Sequence, residues 1–120
     1  MNQPGEPSVV LSTIPNEGCV VVAIAGRLDA EGVRSIGDRF DVLTGTGKPV
    51  VVDLSGVSSM DSLGVALLVR LAKRLRDSKA SVAVIPGAGP VARLLGLARV
   101  DRILNVAFTM EEALRVVGVG

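Results

Sequence analysis

A chain of 120 residues that is 48% hydrophobic and 21% charged has the size and apolar content of a single globular domain with one core. Its net charge of +1, from 13 Lys and Arg against 12 Asp and Glu, and its 2% aromatic content lack the basic surface and stacking platforms that nucleic-acid binding uses. The composition contains no histidine, which excludes a Ser-His-Asp catalytic arrangement, and a single cysteine, Cys19, which excludes an internal disulfide.

The opening MNQPGEPS lacks the basic-then-apolar pattern of a signal peptide. No apolar run reaches the roughly 18 residues that would span a bilayer. These features predict a cytoplasmic location, a flexible lead over residues 1–7 and one domain over residues 8–118.

In chain order, SVVLSTI and CVVVAIAG are β-branched runs separated by the turn formers Pro15, Asn16, Glu17 and Gly18, a pattern that predicts an antiparallel hairpin with Cys19 packed in its second strand. From Asp29 the apolar spacing becomes helical through Val33, Ile36, Phe40 and Leu43, with Arg34, Asp38, Arg39 and Asp41 between them and Gly37 as a candidate interruption. TGTGKP is a loop. VVVDL, Val50 to Leu54, is apolar enough to be a strand buried on both faces.

A second amphipathic helix is predicted from Ser62 to Asp77, with Leu67, Leu68, Leu71 and Leu75 inside and Arg70, Lys73, Arg74 and Asp77 outside. SVAVI is a strand, GPVARLLGLA a short helix starting at Pro90, ILNVAF a last strand, and TMEEALRVV a closing helix with Thr109 as its N-cap. The order β-β-α-β-α-β-α-β-α predicts an α/β fold: a mixed sheet that opens on a hairpin, with about four helices packed on it.

Between the strand and the helix that surround it, the stretch DLSGVSSMDS brings Asp53, Ser55, Ser58, Ser59, Asp61 and Ser62 together, and α/β folds hold functional groups where a strand ends and a helix begins. Loop chemistry accounts for part of this. Asp61 is placed to cap the helix at Leu63 or Gly64.

The block D-L-S-G-V-x-x-M-D-S-x-G, Asp53 to Gly64, resembles the STAS domain of bacterial anti-sigma factor antagonists. GRLDA at Gly26 to Ala30, VARLLGLARVDRIL and EEAL extend the resemblance over nearly the whole chain. It implies a STAS fold and a protein-binding module, not an enzyme, whose Ser62 is phosphorylated by a partner that is both an anti-sigma factor and a serine kinase. A serine phosphatase is a further implied partner. The implied partner-binding surface comprises Asp29, Ser59, Met60, Asp61, Ser62, Leu63, Gly64 and Ala66, with no cofactor, no metal, no nucleic acid and no membrane insertion. Leu63 stands where many members have a second small polar residue.

On that reading, the unmodified rim offers a hydroxyl, a helix start and an apolar strip of Leu63 and Ala66 running toward Arg70, with Gly64 allowing a partner's backbone to approach. A phosphate would add a charge of about −1.5 to −2 beside Asp29 and Asp61 and release the partner.

Other readings are weaker. A phosphoaspartate receiver would share the length and Asp53 at a strand end, but the acidic pair expected after its first strand is missing. GAGPVA and GTGKP have fragments of nucleotide-binding spacing, yet Pro90 removes a backbone donor from the first and Pro49 occupies the metal-hydroxyl position of the second. Within the same fold, the alternative is an accessory subunit of an ABC-type lipid transporter or a signalling scaffold, without a phosphoserine switch.

Overall fold

The β-branched runs form the sheet of the computed structural model, which describes residues 8–119. The lead expected over residues 1–7 lies outside the described residues. Strand β1 (Val9–Ile14) pairs antiparallel with β2 (Val20–Leu28), β2 pairs parallel with β3 (Val50–Met60), and β3 pairs parallel with β4 (Val82–Ile85), giving the order β1-β2-β3-β4. The mixed sheet and its opening hairpin follow the sequence expectation. Cys19 is buried immediately before β2, where its thiol donates to the Asn16 Oδ1 at 3.1 Å.

Among the described residues five helices cover the sheet: α1 (Ala30–Thr44), α2 (Ser62–Asp77), α3 (Pro90–Leu97), α4 (Asp101–Leu104) and α5 (Met110–Val116). Alternation along each strand divides the core in two, because successive side chains point to opposite faces. Val22, Ile24, Val52 and Leu54 pack with Ile36 and Phe40 of α1 and Leu67, Leu68, Leu71 and Leu75 of α2. Val21, Val51, Ala83 and Ile85 face the other way, against Ala107, Ala113 and Val117 around α5. The central strands are therefore apolar in continuous runs, as strands covered on both faces are.

The second helix begins and ends where its apolar period predicts, and Thr109 caps α5 by accepting from Glu112 N–H at 3.0 Å. Three expectations are corrected. Gly37 does not interrupt α1, which runs unbroken because Ile36 and Phe40 on its inner face are buried against the sheet. ILNVAF is not a strand. Ile103 and Leu104 complete α4, Asn105 turns the chain left-handed with φ 53°, and Thr109 caps the next helix, so Val106 alone reaches the sheet as an isolated parallel bridge to Val84.

The third correction bears on the site. The stretch from Ser55 to Met60 is strand and not loop, because β2 supplies a pairing partner as far as Leu28 opposite Met60. Two register shifts, between Ala23 and Ala25 and between Gly26 and Arg27, accommodate the extra residues of β3.

Candidate partner-binding site

Extension of β3 separates residues that the sequence groups together. At roughly 3.3 Å per residue, Asp53 lies about 20 Å back along the strand from Met60. Its Oδ1 is engaged locally, accepting from Ser55 N–H at 2.9 Å and from the Ser55 hydroxyl at 2.6 Å. Asp53 and Ser55 therefore stand apart from Ser62, whereas Ser58, Ser59, Met60 and Asp61 lead directly to it. The Ser58 hydroxyl donates to the Gly26 carbonyl at 3.3 Å, and Ser59 lies opposite Arg27 in the ladder.

Because β2 and β3 are parallel neighbours that end together, the helices that follow them start side by side. Asp29 caps α1, its Oδ1 accepting from Gly32 N–H at 2.9 Å. Asp61 caps α2, its Oδ1 accepting from Leu63 N–H at 2.9 Å and Gly64 N–H at 3.3 Å, as its position predicts. The other oxygen of Asp61 accepts from Ala30 N–H at 3.2 Å, the first residue of α1. One carboxylate thus serves two helix starts, each of which presents unpaired N–H groups and a partial positive charge.

Ser62 follows as the first helical residue of α2. Its side chain is exposed, and its hydroxyl has no hydrogen-bond partner among the described residues. Leu63, 49% exposed, and Ala66 extend from it as an uncovered apolar strip. Ser59 is exposed as well, while Asp29, Met60 and Asp61 are half-buried. The strip ends before Arg70, whose guanidinium is paired with Asp41 of α1 at 3.1 Å and braces the two helices.

Gly64 differs from its expected role. It is buried, and a Cβ there would come within 2.6 Å of the Leu28 carbonyl oxygen and 2.6 Å of Met60 Cγ. The missing side chain lets α2 seat on the ends of β2 and β3 and opens nothing to a partner. Two groups escaped the sequence reading: Arg27, exposed across the ladder from Ser59, and the Ala30 N–H. The GRLDA segment was the available signal for both. The cation at Arg27 makes the rim mixed in charge, not purely acidic.

Hollows of about 290, 270 and 310 Å³ are lined by residues of α3 and α4, of α2 and β4, and of the α1 and α2 C-terminal ends, and none takes in Asp29, Asp61 or Ser62. Among the described residues no cluster of His, Cys, Asp or Glu is arranged to hold a metal ion, and no helix is long and apolar enough to cross a membrane. An exposed hydroxyl beside apolar groups on a rigid helix start suits contact with a protein surface.

A family model described as "Mlab, STAS domain" matches residues 15–107. Among solved structures, an anti-sigma factor antagonist from Mycobacterium paratuberculosis is 22% identical with a TM-score of 0.82, the match covering 98% of each chain. An anti-sigma-factor antagonist (STAS) domain protein from Planctomyces limnophilus is 23% identical with a TM-score of 0.79, covering 89% of this chain and 97% of that one. The Bacillus cell fate determinant SpoIIAA in its phosphorylated form is 20% identical with a TM-score of 0.66, covering 90% of this chain and 99% of that one. At these identities the structures establish a shared fold.

Proposed function

The chain belongs to the STAS-domain family, and from that premise we propose that it is an anti-sigma factor antagonist, a binding module that sequesters an anti-sigma factor with serine kinase activity and so frees a sigma factor. Ser62 is the phosphoacceptor and the switch. The observation that carries this reading is the Ser62 hydroxyl itself: exposed, without a partner among the described residues, held at the first position of α2 and flanked by the uncovered Leu63 and Ala66. The likeness to SpoIIAA, a protein whose phosphorylated form is known, supports it further.

The proposed surface is Ser59, Ser62, Leu63 and Ala66, with Asp29, Met60 and Asp61 shaping it from beneath. Gly64 acts through packing alone. Unmodified, the surface docks by burying Leu63 and Ala66 and by presenting the hydroxyl to the partner's kinase site. Once phosphorylated, Ser62 carries a charge of about −1.5 to −2 beside the Asp61 carboxylate. The Leu63 and Gly64 N–H groups already donate to Asp61 and do not neutralise the new charge, which repels the docked partner. The helix start keeps the modified domain folded, since negative charge is favourable there.

Incubation with an anti-sigma factor kinase and ATP, followed by mass spectrometry, tests the assignment. Phosphate is expected on Ser62. Ser62→Ala retains binding and accepts no phosphate, whereas Ser62→Glu folds and binds weakly. Phosphate on Ser58 or Ser59, or full-strength binding by Ser62→Glu, overturns the reading.

The matching family model is described by the name Mlab and not as an antagonist, and this favours a second reading in the same fold. There, the same rim binds the ATPase of a lipid transporter constitutively. Recovery of a transport ATPase as the stable partner, bound equally by wild type and Ser62→Glu, would decide for it.

A further inference from the structure

The two edges of the sheet are finished differently. Beyond β4 the chain closes its own edge: Ala107 N–H donates to the Val84 carbonyl at 2.9 Å, Val84 N–H to the Asn105 carbonyl at 3.3 Å, and the Asn105 side-chain amide to the Val82 carbonyl at 2.9 Å. Strand β1 has no such cover among the described residues. Arg27 N–H donates to the Ser8 carbonyl at 2.9 Å, so by the alternation of an antiparallel ladder Val10, Ser12 and Ile14 direct their backbone groups at β2. Val9, Leu11 and Thr13 direct theirs outward.

Sheet edges of this kind are ordinarily blunted by a charge, a proline, a bulge or a very short strand. VVLSTI has none of these, and its register with β2 runs without a shift from Val9 to Ile14. The same strand carries two large exposed apolar side chains, Val10 at 48% and Ile14 at 42%, on the face away from α1.

We propose that β1 pairs antiparallel with β1 of a second copy of this chain, forming a two-fold dimer with a continuous sheet. A two-fold axis perpendicular to the sheet keeps each face on its own side, so residues opposite one another must share a face. Centred on Ser12, the pairing sets Leu11 opposite Thr13 as hydrogen-bonded pairs, using the outward backbone groups. It sets Val10 opposite Ile14 twice, as close non-hydrogen-bonded pairs. The exposed apolar side chains of the strand thereby become each other's partners, which is the self-complementarity a two-fold interface requires. This match singles out a second copy as the occupant. The axis also reverses the strands, so the two Ser62 rims point to opposite ends of the dimer and both remain open.

Substitutions at Ser12, which is exposed and would meet its own copy across the axis, test the interface in the full chain. Sedimentation equilibrium of the wild type should show the mass doubling as concentration rises. Ser12→Lys alone and Ser12→Glu alone should each lose the dimer, because like charges meet. An equimolar mixture of the two should regain the doubled mass as a heterodimer, which also shows that both variants are folded. A wild type that stays monomeric throughout, a Ser12→Lys protein that dimerises like the wild type, or a mixture that remains monomeric overturns the proposal.

Discussion

Asp61, the cap of α2, also accepts a hydrogen bond from the Ala30 N–H at 3.2 Å and so ties the start of α1 to the start of α2. The tie places the residue before Ser62 under two constraints, one from each helix. Replacing Asp61 with alanine should cost about 1 to 2 kcal/mol of stability, at the upper end for a lost cap because two helix starts lose an acceptor. Asp61→Asn should lose less, since asparagine also caps. Urea unfolding of the two variants checks this, and equal stability of Asp61→Ala and wild type would show that the carboxylate holds neither helix.

Two glycines in helices should respond to alanine with opposite signs. Gly64→Ala forces a methyl against the Leu28 carbonyl and Met60 and is expected to destabilise by about 1 to 3 kcal/mol, as overpacking does. Gly37 in the middle of α1 has nothing within 4 Å of an added Cβ, and Gly37→Ala should stabilise by about 0.5 to 1 kcal/mol through helix propensity and a less flexible unfolded chain. Thermal melts of the pair, shifting in opposite directions, are the check.

The inner and outer leucines of α2 give a second contrast. Leu71 is 0% exposed, and Leu71→Ala should cost about 2 to 5 kcal/mol. Leu63 is 49% exposed, and Leu63→Ala should change stability by about 0.5 kcal/mol or less while weakening partner binding. Denaturant unfolding read beside a binding titration separates the two roles. A Leu63→Ala protein that binds its partner as wild type does would remove Leu63 from the interface.

Burial raises the pKa of the Cys19 thiol above its ordinary value. The folded chain then holds this proton more tightly than the unfolded chain, so the stability it contributes is complete below the ordinary thiol pKa and is lost as pH rises through the folded value. Alkylation of Cys19 should accordingly follow global unfolding and stay slow in the native protein at mildly alkaline pH. Rapid labelling under native conditions would show that the strand start opens locally.

Local rules made much of this protein legible before folding. The 3.6-residue spacing of Leu67, Leu68, Leu71 and Leu75 determined α2 and its buried face, Thr109 and Asp61 determined two helix starts by their capping chemistry, and Pro15 to Gly18 determined the hairpin. Each of these is a contest among neighbours a few residues apart, so the sequence alone decides it. The end of β3 is of another kind: serine and glycine from Ser55 to Ser59 have loop propensities, and only the presence of β2 alongside as far as Leu28 makes them strand. ILNVAF shows the converse, since its apolar residues suit a strand, but left-handed Asn105 and the cap at Thr109 leave Val106 alone to meet β4. The dual engagement of Asp61 and the buried position of Gly64 likewise depend on groups more than thirty residues away in sequence, Ala30 and Leu28. Tertiary structure decided them because a hydrogen bond or a close approach between distant segments exists only once the sheet has brought those segments together.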